Sequence, residues 1–317
     1  MLRTMYLQSF FSNLQVRPSN KCLEQVLNAM ILRLEASRAD KTVRNYQTAV
    51  RSFLDIVGHE ASIKDLDANL MKGYERELKK GHKKPNTISA YMRSLRKLFN
   101  EAGIKNTNAL FKDVFTGNEM TEKRAITKED LRNLRLLSLP AKSSLCLSRD
   151  LFLLSVFCMG IPFVDLAFLE WSHIQNGYIV YTRHKTGQTI RIKITKEIQA
   201  NINRYARKGT HYLFPLLKST DAQKAMKEYE TVRRRYNRHL NKLGEMIGLP
   251  QLTSYQARHT WASIAYAENT DMPVISKALG HTNSITTQVY ISEIDDNRVF
   301  EANARIIHSI ILYTSPN

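Results

Sequence analysis

Tyr178-Ile-Val-Tyr-Thr182, a turn at His184-Lys-Thr-Gly187, then Thr189-Ile-Arg-Ile-Lys-Ile194: this stretch alternates apolar and polar residues around a glycine-bearing turn. A period of two puts alternate side chains on one face of an extended chain, so the stretch predicts an antiparallel hairpin buried on one side. Around it the apolar period is helical. A helix is expected to start at Thr127, with Asp130 as its capping partner, and a long buried helix to run from Arg149 to about Cys158. From Lys196 onward the pattern is helical again. The fold class that follows is mainly α, with a small antiparallel sheet set into an α+β second domain.

The first hundred residues contain two similar segments at an offset of 45: Lys41-Thr-Val-Arg-Asn-Tyr-Gln-Thr-Ala-Val-Arg-Ser-Phe-Leu54 and Asn86-Thr-Ile-Ser-Ala-Tyr-Met-Arg-Ser-Leu-Arg-Lys-Leu-Phe99. On a helix, Val43, Tyr46, Val50, Phe53 and Val57 share one face, as do Ile88, Tyr91, Leu95, Leu98 and Phe99. These stripes are core. Arg44, Arg51, Ser89, Arg93, Arg96 and Lys97 are left to face a phosphate backbone or water, and Asn86 is placed to cap the second helix. With helices expected over 23–35 and 62–80, residues 20–104 make a four-helix domain after an N-terminal extension at 1–19. Residues 105–123, rich in Asn, Thr, Gly and Lys, read as a linker to a second domain at 124–298, followed by a tail at 299–317.

A length of 317 residues exceeds one comfortable core, in keeping with two domains. The richest apolar run, Leu151 to Leu169, is broken by Gly160, Pro162 and Asp165, so it reads as core and not as a membrane span. The N-terminal residues carry no long apolar run of a secretion signal, and the three cysteines, Cys22, Cys146 and Cys158, are widely spaced without a CxxC. Reduced thiols in a cytoplasmic protein are expected. Lys and Arg number 47 against 29 Asp and Glu, a net charge of +18, with a pI near 9.8. Such a surface suits nucleic acid through counterion release, although a solubilising surface or an anionic membrane would also accept it. The positive charge is spread along the chain, as in a protein that wraps its partner.

The chemistry concentrates in the last third. Leu252-Thr-Ser-Tyr-Gln-Ala-Arg258-His259 precedes Leu279-Gly280-His281, and Tyr290 follows after eight further residues. Attack on a phosphodiester needs a nucleophilic oxygen, cations for the phosphate and donors for the developing charge. Arg258 offers a planar fork for two phosphate oxygens. Tyr255 lies one helical turn before it, and His259 points elsewhere as a structural hydrogen-bonder. Asp271 and Pro273 start a short helix that stops at Gly280, which holds His281 in a fixed position. Taken singly, each residue has a plain reading: an arginine is often a surface ion pair, a tyrosine a packing residue, and Lys185 a solvated turn lysine.

Together, Ala-Arg258-His259-Thr-Trp-Ala and Leu-Gly-His281 followed by Tyr290 resemble the tyrosine recombinases, or phage-type integrases. Lys185 falls at the family's hairpin lysine. Arg149-Asp150 and Phe163-Val-Asp165-Leu-Ala-Phe-Leu-Glu-Trp171 resemble the segment carrying its first catalytic arginine, and residues 20–104 resemble its SAM-like core-binding domain. The resemblance implies a catalytic set of Tyr290, Arg258, His281, Lys185 and Tyr255. Tyr290 would form a 3′-phosphotyrosyl link, Arg258 and His281 would hold the non-bridging oxygens, and Lys185 would protonate the leaving 5′ oxygen. Neither a cofactor nor a metal is implied. Two positions depart from the pattern. Tyr255 stands where the family has His or Lys. The first arginine corresponds to Pro162 in a Gly-Leu-Arg register, or to Met159 in an Arg-Gly-Met register, and neither is cationic. Arg183 and Lys193 are substitute cations by neighbourhood.

The expected function is therefore site-specific recombination of duplex DNA in a cytoplasmic, bacterial, nucleoid-associated protein. It would be a monomer when free and a homo-tetramer on DNA, with DNA-bending proteins as accessory partners and Arg44, Arg51, Arg93, Arg96 and Lys97 on the DNA. A type IB topoisomerase-like enzyme, or an impaired relative that only binds DNA, are the alternatives. The apolar tail from Val299 to Ser309 is expected to pack on a neighbouring protomer.

Overall fold

The computed structural model describes residues 22–35, 40–119, 125–207, 209–281 and 303. Tyr290 and, apart from residue 303, the tail at 299–317 expected to dock on a neighbour therefore lie outside the described residues. The chain divides into two compact units, Met1–Thr121 and Glu122–Asn317.

The first unit is helical: α1 (Leu23–Glu35), α2 (Asp40–Val57), α3 (Ala68–Lys80), α4 (Pro85–Glu101) and a single turn α5 (Thr107–Leu110). Both repeated segments are helices, and both stripes face the core. Val43, Val50 and Phe53 from α2 and Ile88, Leu95, Leu98 and Phe99 from α4 are all buried. Phe53 meets the Tyr74 ring edge-on at 5.0 Å and the Phe99 ring at 6.1 Å, and Phe99 meets Phe111 at 5.6 Å. Edge-to-face pairs of this kind add to the stabilisation from burial.

Three details differ from the sequence expectations. The segment 62–80 is not one helix. A 3-10 turn at Ile63–Asp65, closed by a capping box from Ser62, precedes α3, which restarts at Asp67 because that carboxylate accepts from the Leu70 N–H at 2.7 Å. Asn86 does not cap α4, which begins at Pro85. The Asn86 amide instead accepts from the Glu119 N–H at 2.8 Å and donates to the Glu119 carbonyl at 2.9 Å. Ser89 is fully buried and donates to the Gly117 carbonyl at 2.5 Å. Both side chains are committed because residues 111–119 fold back along α3 and α4.

Glu75 of α3 anchors the same return segment. Its carboxylate is 3% exposed and receives Lys72 at 2.9 Å, Lys79 at 3.1 Å and the Phe115 N–H at 3.1 Å. Burial pushes this carboxyl up, but the bonds from Lys72, Phe115 N–H and Lys79 outweigh burial and hold it below its ordinary value.

The second unit is built around α7 (Ser144–Phe157), which starts five residues earlier than its apolar pattern suggested, at a Ser143 cap. Its buried residues point in every direction, as in a helix enclosed on all sides. Against it pack α6 (Lys128–Leu136), α9 (Lys196–Tyr205), α10 (Ala222–Met246) and α11 (Gln256–Ala267), and α8 (Phe163–Ala167) packs on α10. The polar groups of α7 are all satisfied. Asp150 takes Arg149 at 2.7 Å, Arg204 at 3.0 Å and the Tyr205 hydroxyl at 2.5 Å, while Ser155 donates to the Ile161 carbonyl at 2.7 Å.

The hairpin is present with strands β2 (Tyr178–Thr182) and β3 (Thr189–Lys193), joined on one edge by a two-residue β1 (Ile174–Gln175). The register pairs Ile179 with Ile192 and Tyr181 with Ile190, and these four side chains are buried together on one face. On the other face Arg191 lies over the Tyr178 ring, 3.7 Å from its centroid. Last comes α12 (Met272–Leu279), which ends at Gly280 in the left-handed conformation. No helix among the described residues is long and apolar enough to cross a membrane.

Replacing Glu75 by Gln removes the negative charge and one of the two acceptor oxygens that Lys72 and Lys79 share, and is expected to destabilise the first unit by about 1–3 kcal/mol at pH 7. Because the folded carboxyl ionises below its ordinary 4.5, its contribution is full above that pH and is lost as pH falls below it. Hydrogen exchange of the α3 and 111–115 amides, compared at pH 7 and pH 4, reports both effects.

Candidate active site

The site begins with the end of α12. A helix leaves its last carbonyls without partners inside the helix. Here the Leu279 carbonyl accepts from Arg258 Nη2 at 2.5 Å and from Arg183 Nη1 at 2.8 Å. The Gly280 carbonyl accepts from the same Arg183 Nη1 at 2.8 Å and from Thr186 Oγ1 at 3.5 Å. Two guanidinium groups from distant parts of the chain thus converge on one turn, and His281 follows it directly.

Arg258 reaches this point from the first turn of α11, with only 4% of its surface exposed. Its Nη1 donates to the Gly160 carbonyl at 3.1 Å. Its Nη2 lies 3.0 Å from His281 Nε2, so that nitrogen acts as acceptor and the ring proton sits on Nδ1. Gly160 is required on the other side. Its φ is +69°, and a Cβ there would come within 2.8 Å of the Arg258 Cα. Gly280 is similarly constrained, since a Cβ would stand 2.7 Å from Ile190 Cδ1 and 2.9 Å from Arg183 Cδ.

The hairpin enters through Arg183 and His184. The Arg183 backbone closes the turn, donating to the Gln188 carbonyl and accepting from Gly187 N–H, both at 2.9 Å. Asp165 of α8, 2% exposed, accepts from the His184 N–H and faces His184 Nδ1, both at 3.0 Å. Its other oxygen lies 3.7 Å from Arg183 Nε. Lys185 rises from this clamped base and is exposed.

Among the described residues, buried positive charge gathers at this pocket. Arg258 and Arg183 are nearly buried, at 4% and 6% exposure, and Asp165 is the carboxylate placed against them. Burial, then the charges of Arg258, Arg183 and Lys185, push the His281 imidazole down to about 4. It is neutral at ordinary pH in the unliganded chain. A buried set of cations with an unprotonated imidazole attracts an anion, and the guanidinium planes and imidazole suit the oxygens of a phosphate.

The expected site residues fall as follows. Arg258 and His281 are in direct contact, and Lys185 lies on the adjoining hairpin. Tyr255 stands at the start of α11, 48% exposed, with its ring edge-on to His259 at 4.7 Å. The first-arginine positions carry Met159, half-buried with a φ of +56°, and Pro162, the N-cap of α8. Arg149 does not replace that arginine. Its guanidinium is taken up by Asp150 and the Leu137 carbonyl at 2.8 Å. In the first unit Arg44, Arg51 and Arg93 are exposed and Arg96 is half-buried. Lys97 is half-buried and pairs with Glu101 at 2.5 Å. Sequence reasoning passed over α10, whose Arg234, Arg235, Arg238 and Lys242 are all exposed. The Arg-Arg-Arg run at 233–235 between Val232 and Tyr236, both buried, was the available signal. Among the described residues no group of three His, Cys, Asp or Glu could hold a metal ion.

Comparison with known proteins agrees with this arrangement. The phage integrase family matches residues 125–296, and the phage integrase SAM-like domain matches residues 23–111. Tyrosine recombinase XerA of Thermococcus kodakarensis is 22% identical over 278 residues, covering 86% of this chain and 93% of the relative. XerA of Pyrococcus horikoshii is 21% identical over 309 residues, covering 91% and 98%. A lambda integrase dimer bound to a COC′ core site has a similar fold, with a TM-score of 0.67 at 18% identity over 84% of this chain and 94% of that one. The Tn1549 transposon integrase in complex with transposon right end DNA also scores 0.67, at 15% identity over 90% and 100%. With both family domains matched in order, and Arg258 and His281 in contact within the phage integrase match at 125–296, the chain belongs to the phage integrase family and is a tyrosine recombinase, an enzyme of DNA strand breakage and rejoining.

Proposed function

We propose that the chain recombines specific DNA sites through Tyr290. The observation that carries this reading is the contact between buried Arg258 and His281, 3.0 Å apart and 23 residues distant in sequence. In this reading the Tyr290 oxygen forms a bond to the scissile phosphorus as its proton is released to solvent. The bond from phosphorus to the 5′ oxygen breaks, and Lys185 supplies the proton that this oxygen takes. Arg258 donates to the non-bridging oxygens, with His281 beside it, and Tyr255 adds a phenolic donor at the rim. The 3′-phosphotyrosyl bond keeps the energy of the phosphodiester, so the 5′ hydroxyl of another strand can reverse the step without an external energy source.

The charge distribution supports duplex DNA as partner. Arg44, Arg51, Arg93, Arg96 and Lys97 in the first unit are assigned to phosphates, with the exposed cations of α10 added from the second. Lys97 must then exchange Glu101 for a phosphate. Solved structures of similar fold include a lambda integrase tetramer bound to a Holliday junction, which supports a tetramer of this chain on DNA, with the tail at 299–317 docking on a neighbour and DNA-bending proteins assisting. The target is DNA of the nucleoid, in integration, excision or inversion of a mobile segment.

Covalent trapping tests the nucleophile. On nicked duplexes made from the repeats flanking the gene, the chain is expected to give a denaturant-resistant protein–DNA band, and Tyr290→Phe is expected to abolish it. A band that survives in the mutant assigns the nucleophile elsewhere; tight binding with no band in either protein favours a binding-only relative. Arg93→Gln is expected to weaken binding to all sequences about equally and to lower the slope of log K against log salt by about 1. Titrations between 50 and 200 mM salt would show it.

A further inference from the structure

We infer that Arg183 is the second arginine of this active site, a positioning residue that locks the Lys185 hairpin to the Gly280–His281 turn and supplies buried positive charge where Met159 and Pro162 supply none. This inference rests on the phosphate-site reading above.

Four observations carry it. First, Arg183 spans two catalytic elements. Its backbone closes the hairpin through Gln188 and Gly187, while its Nη1 donates to the Leu279 and Gly280 carbonyls at 2.8 Å each. Second, it shares the Leu279 carbonyl with Arg258, which brings two like charges to one oxygen. Guanidinium groups repel one another, so this proximity stores a preference for an anion between or beside them. Third, Arg183 is 6% exposed, and its Nε is the one buried side-chain nitrogen or oxygen without a hydrogen-bond partner among the described residues. Asp165 Oδ2, 3.7 Å away, is too far for that bond, while Oδ1 is engaged by His184. An orphaned buried donor on a charged group marks a site arranged for something other than its own stability. Fourth, Arg183 adds to the charge that keeps His281 neutral, together with Arg258 on α11 and Lys185 on the hairpin.

Lys193, the other substitute by neighbourhood, does not fit. It is exposed at the far end of β3, paired across the sheet with Tyr178 and not with the residues of the site.

The test separates charge from hydrogen bonding. Arg183→Lys keeps the charge and loses the fork; Arg183→Gln keeps donor capacity and loses the charge. In the full-length chain, the His281 ring is followed by NMR titration, and covalent complex formation is timed on the nicked duplex. The wild-type His281 midpoint is expected at about 4. It should stay there in Arg183→Lys and rise in Arg183→Gln, since one of its three neighbouring cations is gone. Cleavage should fall on the order of a hundredfold in Arg183→Gln, the scale of loss when catalytic groups are misplaced by about 1 Å, and less than tenfold in Arg183→Lys. Equal losses in both variants with an unmoved His281 midpoint would overturn the charge role, as would wild-type cleavage by Arg183→Gln. Should Arg183→Gln not fold, the lysine variant decides alone. Near-wild-type cleavage with an unchanged midpoint supports the inference, and complete silence refutes it. Wild-type protein that forms no covalent complex would instead remove the Tyr290 reading, and the His281 midpoints would still judge Arg183.

Discussion

Among the described residues of the second unit, the site is organised around the carbonyl oxygen of Leu279. Helix termini expose carbonyls that must find donors, and the left-handed Gly280 turns this one inward to meet two guanidinium groups. Helix α11, the hairpin and His281 are thereby referred to a single point. The negative end of the α12 dipole lowers the cost of holding two cations side by side. The cations in turn hold a histidine neutral so close to them.

The electrostatics of the second unit come from two differently partnered groups of arginines. Asp150 in the interior is surrounded by two arginines and a tyrosine hydroxyl, a network that is complete within the fold. Beside Arg183, the carboxylate among the described residues is Asp165, which divides itself between Arg183 and the backbone of His184. The same residue types therefore play opposite parts in one domain. The network at Asp150 fixes α7, while Arg183 and Arg258 spend their donors on main-chain carbonyls.

Much of this was legible in the chain. The period-two alternation at 178–194 gave the hairpin because one face is buried and the other solvated, and the stripes of α2 and α4 gave the helical unit for the same reason. That Arg258 and His281 belong to one site was implied by the resemblance carried by Leu-Gly-His and Ala-Arg-His, and their direct contact was not legible. What escaped was non-local. Ser89 and Asn86 look like exposed or capping residues until the chain at 111–119 returns over them, which no local period announces. Arg183 stood level with Lys193 as a substitute cation by neighbourhood, because its burial depends on a carbonyl 96 residues away. The long helix α10, with its cations, follows an ordinary amphipathic pattern and was readable from Val232, Tyr236, Leu240 and Leu243.

A scaffold made of main-chain carbonyls has an evolutionary property that a scaffold of side chains lacks. No substitution at Leu279 deletes its carbonyl, so the anchor of the site is immune to the commonest kind of genetic change at that position. The side chains from Met272 to Leu279 are free to drift under the demands of packing alone. The whole burden of exact geometry passes to Gly280 and Gly160, where there is no side chain to vary. Divergence should therefore run quickly along α12 and stop abruptly at the two glycines.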